Sequence, residues 1–181
     1  MKSMRWILPG LALAALLGNG CILVSGQIFA KFQLPNPFLI SSANAFQREF
    51  VDLTTVKEYS DNADKLKGLS DIAVVGKFKN LSGPAVSVQI WITPGNTNLA
   101  DVNAIKAGAS LLWGPGSIGA ATAEHDIGWN ESAKLFNAVG KNVLIDQVLH
   151  GGKFTLYFLG NASNELEVDD DAVLLTIDAG K

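Results

Sequence analysis

The chain has two imidazoles, His125 and His150, as its ready proton-transfer groups near neutral pH. A zinc-peptidase helix needs a second histidine four residues after His125 with a glutamate between, but position 129 is Trp. Ser25, Ser82, Ser110 and Ser117 each lack one or both glycines of the Gly-x-Ser-x-Gly nucleophile elbow. A two-histidine metal site would require the fold to bring His125 and His150 together. Otherwise Glu124-His125-Asp126 reads as the polar edge of a strand or loop. His150, near a helix C-terminus, suits the negative end of the helix dipole. No catalytic residue is assigned, and no cofactor is expected.

Three further groups of residues could hold a ligand. Gly114-Pro115-Gly116-Ser117-Ile118-Gly119 matches Gly-x-Gly-x-x-Gly in form. A dinucleotide site also needs a strand before it, a helix after it and a parallel frame, and Pro115 lacks a backbone donor. A tight surface turn is the simpler reading. Asp169, Asp170 and Asp171, with Glu165 and Glu167 upstream, form the densest acidic patch and are weak calcium candidates. The spacing lacks the glycine and final glutamate of a calcium loop, so a solvated turn between strands competes. Trp91, Trp113 and Trp129 are candidates for stacking on a sugar ring or anchoring an interface.

The lone cysteine, Cys21, carries the most specific signal. Lys2 and Arg5 precede an apolar stretch from Trp6 to Leu17, and Gly18-Asn19-Gly20 follows. A positive start, an apolar middle and a small-residue exit form the layout of a secretory signal peptide. Leu17-Gly18-Asn19-Gly20-Cys21 resembles the lipobox of bacterial lipoprotein precursors. That resemblance implies a cut before Cys21 and a diacylglycerol on its thiol. The chain departs from the usual pattern at Gly18 and Asn19, while Gly20 fits it. Ile22, in place of an aspartate, resembles the outer-membrane class. Two other readings stay open: an uncleaved anchor, since Trp6 to Val24 approaches the ~20 residues of a membrane span, and an ordinary signal peptide with Cys21 incidental. All three place the domain outside the cytoplasm.

Removing residues 1–20 leaves 161 of 181 residues and moves the net charge from −3 to −5. An acidic balance argues against nucleic acid, which needs clustered Lys and Arg. The chain is 48% apolar and 17% charged, enough for one packed core. With one cysteine there is no internal disulfide and no cysteine-cluster metal site.

The elements behind these residues read mainly as strands. Val86, Val88, Ile90 and Ile92 alternate with Ser87, Gln89, Trp91 and Thr93 over 85–93. Ile72 to Lys79, Phe154 to Leu159 and Val173 to Ile177 repeat the pattern. Weaker strands are read at 27–33, 45–53, 109–113 and 121–129. Asn80-Leu81-Ser82-Gly83-Pro84 joins 72–79 to 85–93 through a hairpin or a short arch. Asn130 caps an expected helix that Gly140 stops, and a second helix spans Val143 to His150. These signals predict a mainly β fold, an antiparallel β-sandwich of immunoglobulin-like or jelly-roll-like type, with a short helical insert near 130–150.

The chain divides into a signal peptide at 1–20, a lipidated N-terminus with tether and first strand at 21–44, and the sandwich at 45–181. The function expected is that of an exported, lipid-anchored envelope protein with a structural or interaction role. Its partners would be a membrane, met through the lipid anchor, and an envelope protein or glycan. A carbohydrate- or peptide-binding module using the tryptophans is the alternative.

Overall fold

The computed structural model describes residues 21–24, 27–33, 38–41, 43, 45–81, 83–120, 124–160 and 166–179. The signal-peptide reading of 1–20 and the turn residues Pro35-Asn36-Pro37 lie outside them.

The chain folds as two packed antiparallel sheets. The first contains β1 (Cys21–Val24), β2 (Gln27–Gln33), β3 (Phe38–Ile40), β5 (Leu66–Asn80), β8 (Glu124–Ile127) and β10 (Leu166–Ala179). Its order is β1-β2-β10-β5-β8, and β3 continues the edge of β10 beyond β2. The second contains β4 (Phe46–Asp52), β6 (Val86–Pro94), β7 (Ser110–Ile118) and β9 (Lys153–Leu159), in the order β4-β9-β6-β7.

The period-two face of β6 is buried throughout: Val86, Val88, Ile90 and Ile92 are at most 1% exposed. Register places Ile90 opposite Phe158 and Ile92 opposite Leu156. Ile28, Ala30, Ile72, Val74, Phe78, Leu175 and Ile177 meet them from the first sheet. Each fully buried side chain of this size contributes roughly 1.5–3 kcal/mol of transfer free energy, which specifies the pairing of faces.

The short link from β5 to β6 is the arch rather than the hairpin, because the two strands lie in different sheets. Asn80 fastens its mouth, donating from Nδ2 to the carbonyls of Pro84 and Gly119, each at 2.6 Å.

Two expectations are corrected, and one element is added. Cys21-Ile22-Leu23-Val24 forms strand β1, with Cys21 opposite Ala30, ahead of the strand read at 27–33. An apolar, β-branched run suits a sheet edge as well as a leader. Gly114 to Ile118 is not a surface turn but the second half of β7. Gly140 does not stop a helix.

The helical insert begins with α3 (Trp129–Ser132) and a 3-10 turn at Ala133–Leu135. A bridge pairs Phe136 with Trp113. Then Asn137, whose Oδ1 accepts from Val139 N, caps α4 (Ala138–His150). Gly140 is buried inside α4, and a Cβ there would lie 2.5 Å from Leu112 Cα and closer still to the Leu111 carbonyl. The residue marks a close approach of α4 to β7, and glycine is what that contact admits.

Two α-helices precede this insert. α1 (Lys57–Ser60) carries Tyr59, whose buried hydroxyl donates to the Val148 carbonyl of α4 at 2.5 Å. α2 (Val102–Gly108), which no expectation placed, is capped by Asp101, whose carboxylate accepts from Ala104 N. Asp at the cap, Val102 and Ile105 three apart and Gly108 at the end are the signal that could have found it.

Candidate functional site on the outer face of the second sheet

The outer face of the β4-β9-β6-β7 sheet is not left to solvent. Alternation puts Gln89, Trp91 and Thr93 of β6 there, opposite Leu159, Tyr157 and Thr155 of β9. Ile105 of α2 is fully buried with Tyr157 and Leu159, and Phe46, Trp91, Leu99, Val102 and Ala109 pack around them. This second cluster explains why β9 is buried on both faces from Phe154 onward.

The segment from Gly95 to Asp101 is held down by hydrogen bonds. Tyr157 Oη donates to the Thr97 carbonyl at 2.7 Å and accepts from Leu99 N at 3.2 Å. Thr155 Oγ1 donates to the Gly95 carbonyl and accepts from Thr97 N. Arg48 Nε donates to the Thr97 carbonyl at 2.9 Å, and its Nη2 reaches Asn96 Oδ1.

Beside α2 this covering stops and leaves a cleft of about 480 Å³. Ser87 and Gln89 of β6 form part of its lining, with Leu159 and Gly160 at the end of β9 and Ala45 ahead of β4. Val102, Asn103 and Lys106 of α2 complete it. Among the described residues the lining supplies amide, hydroxyl and ammonium groups among aliphatic side chains, and no carboxylate. Gln89 Oε1 accepts a hydrogen bond from Trp91 Nε1 at 3.1 Å, which leaves the Gln89 amino group as a donor.

β7 is irregular beside this point. Val88 pairs with Gly116 and Ile90 with Trp113, so Gly114 and Pro115 bulge opposite Gln89. Gly114 has φ +100°, and a Cβ there would lie 2.5 Å from the Val88 carbonyl oxygen and 3.2 Å from Gln89 Cα. This is the physical use of the glycine-rich run: a strand distortion next to the cleft, and the next element among the described residues is strand β8 in place of the helix that would receive a phosphate.

The three tryptophans do not form one platform. Trp91 is half-buried under α2. Trp113 is 0% exposed on the inner face, stacked on Phe78 with ring centroids 6.4 Å apart, and is withdrawn as a stacking candidate. Its Nε1 donates to both the carbonyl and the Oγ of Ser132 at 3.1 Å, and Ser132 Oγ accepts from Val74 N at 2.7 Å. Burial of an indole therefore comes with a satisfied donor. Trp129, half-buried, donates to Asp71 Oδ2 at 3.1 Å on the other sheet.

The remaining polar candidates also separate. His125 Nε2 lies 2.7 Å from Glu131 Oε1, and His150 Nδ1 lies 3.0 Å from Asp146 Oδ1 one helical turn back. Each imidazole has its own acidic neighbour. Asp169, Asp170 and Asp171 fall inside β10, where the register against β5 shifts between Asp169 and Ala172, and not in a turn. Among the described residues no group of three or more His, Cys, Asp or Glu could hold a metal ion.

Charge alternates across the first sheet. Glu167 sits opposite Lys79, which sits opposite Glu124, and in the next row Lys77 sits opposite Asp126. Opposed pairs of this kind stabilise a solvated sheet by a few tenths of a kcal/mol to ~1 kcal/mol each.

No family model matches this chain, and no curated protein or solved structure matches it at a significant level.

Proposed function

We propose that this is an exported, lipid-anchored protein of the bacterial cell envelope whose sandwich acts by holding or binding a partner and not by catalysis. The carrying observation is the place of Cys21 directly behind the small-residue exit Gly18-Asn19-Gly20 of an apolar leader. In the folded chain Cys21 lies in β1, opposite Ala30, at the outer end of the first sheet's strand order. Acyl chains contribute roughly 0.8 kcal/mol per buried methylene. Anchoring would raise the effective concentration of the domain near membrane partners.

The test is acylation itself. The protein produced in a bacterial host is expected to gain the mass of a diacylglycerol on Cys21 and to stay with the membrane fraction. Cys21→Ser is expected to abolish both. A native protein whose Cys21 reacts with maleimide, or which still carries residues 1–20, overturns the proposal.

A second reading, a carbohydrate- or peptide-binding module, draws its support from the cleft beside α2. It does not depend on a row of stacked tryptophans.

A further inference from the structure

We infer that the cleft between α2 and the outer face of the β4-β9-β6-β7 sheet binds a small carboxylate-bearing, hydroxyl-rich ligand with the chemistry of a sugar acid. The inference rests on the second reading above, that the domain is a binding module, and is independent of the anchor.

Size comes first. A volume of about 480 Å³ lies within the ~300–1,000 Å³ of small-molecule sites. Chemistry narrows the class. Among the described residues of the lining, Lys106 is the one charged side chain, and Gln89, Asn103 and Ser87 are the uncharged polar ones. Because Trp91 Nε1 occupies Gln89 Oε1, Gln89 offers its NH₂ group. The complement is therefore an acceptor-rich ligand with one negative charge. Asn103 and Ser87 can both donate and accept, which suits hydroxyl groups. Val102 and Leu159 provide apolar surface for the C–H side of such a molecule.

Two other ligand classes fit less well. A nucleotide or polyphosphate carries several charges against a single lysine. An extended peptide adding a strand needs an open sheet edge. Here β6 is paired on both sides, by β9 and β7, and β9 by β4 and β6.

The experiment titrates the purified full chain, in mild detergent, with sodium D-glucuronate, D-glucose and sodium acetate. Tryptophan emission and saturation-transfer NMR give the readouts. Glucuronate is expected to bind with a Kd of about 1 mM or tighter, and glucose and acetate each at least about tenfold more weakly. Lys106→Gln and Gln89→Glu are each expected to weaken glucuronate about tenfold, the first by removing the cation and the second by adding a repelling charge. Lys106 is exposed, so its variant keeps the fold, and circular dichroism checks both. Acetate binding as tightly as glucuronate would reduce the site to a bare anion site and overturn the inference. So would unchanged affinity in Lys106→Gln, or the absence of glucuronate binding. Neutral envelope glycans titrated in parallel keep the two failures apart. Binding of one of them without glucuronate would reject the ligand class and retain the module, whereas silence from every saccharide would reject both the inference and the carbohydrate-binding reading of the module.

Discussion

Trp91 and Gln89, two residues apart on one face of β6, are joined by a 3.1 Å hydrogen bond from the indole Nε1 to the carboxamide Oε1. The indole packs under α2 while the amide lines the neighbouring cleft, so the pair connects a packed residue to an open one.

That bond makes Trp91 a reporter for the cleft. Gln89→Ala is expected to shift the tryptophan emission of the chain and to cost about 0.5–1 kcal/mol in urea unfolding, since the half-buried indole can turn partly to water. In a Trp91→Phe background the same alanine substitution should leave emission unchanged. An equal shift in both backgrounds would show that the signal comes from a tryptophan other than Trp91.

Gly140→Ala sets two effects of opposite sign against each other. Helix propensity favours alanine by roughly 0.5–1 kcal/mol. The new Cβ would stand 2.5 Å from Leu112 Cα, a backbone atom that cannot swing away. Overpacking of this kind costs ~1–3 kcal/mol, so net destabilisation of about 2 kcal/mol is expected. Thermal or urea denaturation decides, and a stabilised variant would mean that α4 does not press on β7.

Ser132→Ala should be costly for a different reason. The buried Ser132 hydroxyl accepts from Val74 N of the first sheet and from Trp113 Nε1 of the second. Trp113 keeps the Ser132 carbonyl, but Val74 N–H is left without its side-chain acceptor. A loss of about 2 kcal/mol is expected, with faster amide exchange at Val74 as the local signature.

Tyr59 gives a pH prediction. Burial, and secondarily the charge of Asp52, hold its hydroxyl above the ordinary tyrosine value near 10. A group whose folded-state value is raised contributes stability that is complete below the unfolded value. That contribution is lost as pH rises from there through the folded value. Wild type should therefore lose stability above about pH 10 more steeply than Tyr59→Phe. At neutral pH the phenylalanine variant is expected to be about 1 kcal/mol less stable, because the Val148 carbonyl loses its donor. Parallel alkaline limbs in the two proteins would exclude Tyr59 as the titrating group.

The sequence was most legible where burial is one-sided. Val86 to Ile92 alternates because one face of β6 meets the core, and the same holds for Phe78 of β5, buried between Lys77 and Lys79. Legibility failed where glycine served packing. Gly114 permits a bulge and Gly140 a close helix–strand contact, yet both residue types ordinarily read as stops. α2 escaped notice because it is seven residues long, its apolar signal resting on Val102 and Ile105. Without it the cleft could not be drawn, although Gln89 and Trp91 were already on the correct face by parity. The tryptophans misled because three large aromatics suggest a common purpose. In the folded chain one is core, one lies under a helix and one is tied to Asp71.

The place of Cys21 within β1 also sets a range. A flexible leash extends the reach of an attached domain by roughly 5–6 Å times the square root of its residue number. Here Cys21 is itself paired with Ala30, so a lipid-bearing sulfur would moor the sandwich with no slack. It could swivel and drift within the plane of the bilayer, but it could not fish at a distance. Whatever it captures would have to come down to the lipid surface.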